Sequence, residues 1–154
     1  MTSPEAGFMR AALDAARESV ARSGFPSGAV IVRDGHIIAT GLSIGNKIPD
    51  PTSHGEVAAI RAACASLQTA SLDGCVLYTA LEPCLMCLGA SKWSGIKKIR
   101  YACSQARVSP EYYAGHYKAD DINRHLVPPL DIAPMTEWES DELSIVHDWE
   151  KSLG

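Results

Sequence analysis

The stretch "GCVLYTALEPCLMCLGA", residues 74–90, does most to decide what this chain folds into. Its first half is a short, nearly unbroken apolar run, the pattern of a strand buried on both faces. After it, "PCLMCLGASKWSG" changes to a helical pattern, with Pro83 expected in the first turn and Gly95 at the end. A doubly buried strand that runs straight into a helix needs a sheet with helices on its faces.

The sequence on either side continues the alternation. In "SGAVIVRDGHIIATG", two β-rich runs, Ala29–Arg33 and His36–Thr40, flank Asp34-Gly35, a strong hairpin signal. "LSIGNKIPDPTS" is a loop, "HGEVAAIRAACASL" a helix ending near Gln68, and "KKIRYAC" another strand. The N-terminal segment through Gly24 reads as an amphipathic helix capped by Ser3, with Pro4 at its first turn. Beyond Gln105 the pattern weakens: a short helix in "SPEYYAGHYKADDINRHL", an extended "LVPPLDIAPM", and a closing helix in "ESDELSIVHDWEKSL". With 154 residues and no linker or repeat, the expected organisation is one domain spanning 1–154.

Composition narrows the function classes. A net charge of −4 argues against a protein that grips a phosphate backbone, and no uncharged apolar run approaches the ~18 residues of a membrane span. Glu5, Asp14 and Glu18 interrupt the N-terminal apolar positions, so that segment is not read as a signal peptide. Five cysteines would leave one over in a full disulfide framework. A reducing compartment, the cytoplasm, and thiol or metal chemistry are therefore expected.

The chemistry gathers at His54, Glu56, Cys84 and Cys87. A Cys-x-x-Cys pair at a helix start projects both side chains from one face of the first turn, where N–H groups and the helix dipole favour thiolate. Thiolate is the form that binds zinc. Three ligands, His54, Cys84 and Cys87, leave a fourth tetrahedral position for water, as in a catalytic site. Bound zinc would lower the pKa of that water, and Glu56 is placed to carry its proton to a leaving amine. Each residue alone has a bland alternative: core thiols, a structural histidine, a capping box between Ser53 and Glu56. Jointly, His-x-Glu followed about thirty residues later by Pro-Cys-x-x-Cys is the signature of zinc deaminases. Cys64, Cys75 and Cys103 read as small core residues. A fourth ligand from one of them, or from His36, His116, His125 or His147, would make the site structural.

On these residues the chain resembles the cytidine-deaminase-like superfamily, in its guanine deaminase, tRNA adenosine deaminase and fungal cytosine deaminase branches. "DPTSHGEVAAIR" and "LYTALEPCLMC" look closest to bacterial guanine deaminases; Gly55, where Ala is commoner, is similar to fungal cytosine deaminase. The resemblance implies a three-layer α/β/α sandwich around a five-stranded mixed sheet, usually a homodimer with one zinc ion per subunit. It implies that His54, Cys84 and Cys87 bind the metal and that Glu56 shuttles the proton. The peptide around Gly55, the carbonyl of Glu82 and the N–H of Cys84 would line the amino group's position. The reaction implied is hydrolytic loss of an exocyclic amino group as ammonia.

Departures from the family pattern leave the substrate open. Ser43 stands where Gly-x-Asn usually supplies an asparagine to the base, and its shorter arm offers fewer contacts; Asn46 is a candidate replacement. The acidic pair of the variable loop is missing, and Tyr112, Tyr113 and His116 are the candidate ring contacts there. Ser27 replaces the phenylalanine of Pro-Phe-Gly. Trp93 is a candidate to lie near the site, because its helix carries the ligands, although core packing is the simpler reading. Trp138, His147, Asp148 and Trp149 are C-terminal residues that would close the site if that segment reaches it, although packing is the simpler reading for each. The leading expectation is a hydrolase acting on a small free amino-heterocycle. A cytosine-type or tRNA adenosine deaminase and a non-catalytic zinc module are the alternatives. The acidic tail speaks against RNA.

Overall fold

The structure is a computed structural model that describes residues 3–154. Helix α1 (Pro4–Ala21) starts as expected, with Ser3 as N-cap accepting from the N–H of Ala6 and Pro4 in the first turn. Strands β1 (Gly28–Arg33) and β2 (His36–Leu42) form the hairpin, and Asp34 and Gly35 both take positive φ at its tip. Next come α2 (Gly55–Leu67), β3 (Val76–Leu81), α3 (Leu85–Trp93) and β4 (Lys98–Cys103). Two 3₁₀ turns (Gln105–Arg107 and Pro110–Tyr113), helix α4 (Ala119–Asn123), strand β5 (Asp131–Pro134), a third 3₁₀ turn (Thr136–Trp138) and helix α5 (Glu139–Ser152) complete the chain.

The five strands form one mixed sheet, ordered β2-β1-β3-β4-β5, antiparallel around β1 and parallel from β3 to β5. Alternation along the strands sends one set of side chains to each face. Ile31, Leu77 and Ile99 pack under α2 and α3, whereas Val30, Tyr78 and Ala102 pack with Met9 and Leu13 of α1 and with Met135. The result is the expected three-layer sandwich. The β3 run is buried as its composition implied.

Two local expectations are corrected. Pro83 lies outside α3, because Cys84 holds the extended N-cap position and the helix begins at Leu85. Trp93 is 91% exposed on the outer face of α3 and is not a core residue.

Register places the functional loops together. Gly28 at the start of β1 pairs with Leu42 at the end of β2, and Leu81 at the end of β3 pairs with Cys103 at the end of β4. Chain leaving these points, around Phe25, Ser43, Glu82 and Ser104, therefore emerges from one edge of the sheet. The layers approach closely at this edge. A methyl group on Gly28 would stand 2.6 Å from Ala15 of α1, and one on Gly55 2.9 Å from the Cα of Gly28. A methyl group on Gly41 would collide with the Gly55 carbonyl oxygen. Helix α2 thus begins directly on backbone, with no side chain between.

Candidate active site

His54 is the N-cap of α2, Cys84 the N-cap of α3 and Cys87 a first-turn residue of α3. Neither cap residue spends its side chain on capping, so all three are free to face one another. The Nδ1 of His54 lies 3.5 Å from the Sγ of Cys84 and 3.6 Å from the Sγ of Cys87. Tetrahedral zinc, with bonds of about 2.3 Å to sulfur and about 2.05 Å to nitrogen, separates those atoms by about 3.5–3.6 Å. The donor set and its spacing fit that ion. Among the described residues no fourth cysteine, histidine or carboxylate joins the cluster. Cys75 and Cys103 are buried elsewhere in the core and Cys64 is half-buried beside it.

The electrostatics show strained sharing of charge. The hydrogen bond from the Cys87 thiol, with help from His54, holds Cys84 down to about 4, so Cys84 is a thiolate. Cys87, buried and bonded to that thiolate, keeps its proton far above the ordinary thiol range. His54 is raised by its bond to Cys84, against the opposing effect of burial. A divalent cation would resolve the conflict by taking both sulfurs as thiolates.

Glu56 is 5% exposed in the first turn of α2. Burial, reinforced by the Cys84 charge, pushes its carboxyl up to about 7, and it bonds to the Cys87 thiol. The capping-box role for Glu56 with Ser53 does not arise, since the helix starts one residue later with His54 as its cap.

These groups form part of the wall of a cavity of about 570 Å³, to which His54, Glu56, Cys84, Ser43, Glu82, Tyr112 and Tyr113 all contribute. That is the size range of small-molecule sites. Gly55 is not among the lining residues; it lies against Gly28. His116 faces a second cavity of about 420 Å³, beside Tyr117 and Lys118. Asn46 reaches the main cavity, but its amide N–H donates to the carbonyl of Ser23 at 2.9 Å.

The mouth is aromatic. Phe25, Tyr112 and Trp149 meet edge to face, with centroids 5.1, 5.2 and 5.9 Å apart, and the Tyr112 hydroxyl donates to Glu150 at 2.5 Å. Helix α5 therefore reaches the site within the same chain through Trp149. Trp138 is packed under Arg10 of α1, and His147 and Asp148 do not line the cavity. Phe25 was not foreseen: nothing in its local sequence signals a meeting with residues far down the chain.

Comparison with known proteins agrees with this geometry. The family model of the cytidine and deoxycytidylate deaminase zinc-binding region matches residues 2–103, which include all three candidate ligands and Glu56. The chain belongs to this family. Within it, the chain is 51% identical over 96 residues to a guanine deaminase of Bacillus subtilis, covering 62% of each protein. It is 40% identical over 95 residues to a tRNA-specific adenosine deaminase of Aquifex aeolicus, covering 62% of this chain and 63% of that protein. These matches thus span less than two thirds of either relative. A solved structure of a Bacillus subtilis guanine deaminase superposes with a TM-score of 0.64 at 37% identity, over 94% of this chain and 92% of that one. The metal of this deaminase family is zinc, and His54, Cys84 and Cys87 are the residues here that suit it.

Proposed function

We propose that this family member hydrolytically removes the exocyclic amino group of a small, free nucleobase or related amino-heterocycle, releasing ammonia. The observation that carries the reading is the buried Glu56 carboxyl beside three convergent ligands at a cavity in the size range of small-molecule sites.

His54, Cys84 and Cys87 would hold the zinc ion. When bound, zinc supplies Lewis acidity that brings a water molecule's pKa close to neutrality. The Glu56 carboxylate takes a proton from the attacking water and delivers it to the departing amino nitrogen, general acid–base work that a group held near 7 suits. Glu82 and Ser43 line the cavity as polar partners for the ring, and Tyr112 offers an aromatic face.

The Bacillus subtilis likeness supports a purine base over a pyrimidine. Against the tRNA alternative stand the net charge and the first turn of α5, which carries Glu139 and Asp141 outside the core. We further read residues 1–154 as one domain, working in the cytoplasm, where the five free cysteines stay reduced. No helix among the described residues is long and apolar enough to cross a membrane. The exposed Leu85 and Trp93 on α3 support a homodimer through that face; a monomer in light scattering at micromolar concentration would dispose of it.

The test is an ammonia-release screen of the zinc-loaded protein over guanine, cytosine, adenine, their nucleosides, and amino-triazines and pterins, in parallel with Glu56→Gln. The wild type is expected to turn over a free base with little dependence on salt. Glu56→Gln should keep zinc and lose about 10²–10⁴-fold in rate. Equal turnover by the variant, or no turnover of any compound by the wild type, defeats the reading.

A further inference from the structure

Tyr113 and Tyr117 belong to one loop, between β4 and α4, and both hydroxyls end on the turn that carries Cys84. The Tyr113 hydroxyl donates to the carbonyl oxygen of Glu82 at 2.6 Å. The Tyr117 hydroxyl accepts from the N–H of Leu85 at 2.9 Å. The two bonds bracket Pro83-Cys84, one on the residue before it and one on the residue after.

Each bond answers a local need. Leu85 is the first residue of α3, so its N–H has no partner within the helix. Cys84, as N-cap, gives that helix no side-chain bond, because its sulfur is turned toward His54. Pro83 has no N–H to anchor the turn. Both N-caps, His54 and Cys84, accept the first bond of their helices at the carbonyl oxygen, from the N–H groups of Ala58 and Leu88 at 2.9 Å; the chain entering Cys84 is held in addition by the two tyrosines. Tyr113 is 4% exposed, so its bond is shielded from water and correspondingly strong.

The loop is itself fastened to the same turn. The backbone N–H of Gln105 and the hydroxyl of Ser104 donate to the Glu82 carboxylate at 2.8 and 3.4 Å. The Gln105 side-chain amide donates to the carbonyl of Tyr117 at 2.6 Å. The two tyrosine rings meet edge to face, centroids 6.5 Å apart. The clamp is thus braced at both of its hydroxyls and at its base.

We propose that Tyr113 and Tyr117 are positioning residues for the metal site, holding the Glu82–Leu85 turn so that the Cys84 sulfur stays at ligand distance from His54. This rests on the zinc reading above. It gives the loop two tasks, since neighbouring Tyr112 faces the mouth of the cavity.

Tyr113→Phe, Tyr117→Phe and the double variant remove the hydroxyls and keep the rings. Zinc affinity is measured by competition with a chromophoric chelator, and ligand geometry by the thiolate-to-metal absorption of the cobalt-substituted protein. Tyr78→Phe, which deletes the hydroxyl of a largely buried tyrosine on the α1 face of β3, is the control. Each single variant is expected to bind zinc about 10-fold more weakly or worse, with a shifted cobalt spectrum, while Tyr78→Phe keeps wild-type values. Wild-type affinity and spectrum in both single variants overturn the proposal, and so does an equal loss in Tyr78→Phe. Should the double variant fail to fold, the single variants carry the test. A wild-type protein that takes up no zinc fails earlier, and that result overturns the metal reading itself.

Discussion

The Nδ1 of His54 and the Sγ of Cys84 stand 3.5 Å apart although 30 residues separate them in the chain. A side-chain contact between two helix starts, each anchored on a different part of one sheet, makes this a site assembled only by the folded state. An ion bound there stabilises the native protein and has little purchase on the unfolded one.

Metal removal should therefore lower the melting temperature. With zinc at about a thousand times its dissociation constant the contribution is about 4 kcal/mol, roughly 8–16 °C for a domain of this size. Calorimetry with and without a chelator reads the difference, and Cys84→Ser should abolish it. An unchanged melting temperature on chelation, in protein shown to have held zinc, would contradict the assembly argument.

Gly55→Ala is expected to destabilise, although alanine is the better helix former by about 1 kcal/mol. The added methyl would lie 2.9 Å from the Cα of Gly28, and neither backbone has a flexible end that can yield. The strain of overpacking is about 1–3 kcal/mol. Chemical denaturation checks it: a midpoint at or above that of the wild type refutes the close-contact reading.

Glu142 supplies a pH dependence away from the metal site. It is fully buried in α5, both carboxyl oxygens lack partners, and burial holds its pKa well above the ordinary value, opposed by Arg17. The folded state therefore prefers the protonated acid. The associated stability is complete below the unfolded value near 4.5 and is lost as pH rises through the folded value. Glu142→Gln should remove this slope and gain stability at pH 8, on the order of 1 kcal/mol, with the gain shrinking toward pH 4. Melts across that range decide; a gain largest at the acid end reverses the sign and rejects the argument.

The local signals in the sequence carried far. Asp34-Gly35 fixed the hairpin because few residues tolerate positive φ, and the β3 run was legible because a doubly buried strand leaves no room for polar residues. Cys84 and Cys87 were readable as a pair because ligand spacing is local. What stayed hidden depends on distant chain. Phe25 and Trp149 converge through tertiary packing that no periodicity records. Tyr113 and His116 lie three residues apart on one loop yet line different cavities, which follows from the turn geometry between them. Trp93 lies neither in the core nor on the cavity wall but on the outer face of α3.

The hairpin register has a practical consequence. Because Gly28 and Leu42 bring the strand ends to the reactive edge, the tip at Asp34-Gly35 lies at the opposite end of the same ladder. A foreign peptide or a reporter grafted into that tip would sit as far from the chemistry as the hairpin allows. The molecule can be labelled or tethered there with its working edge left facing outward.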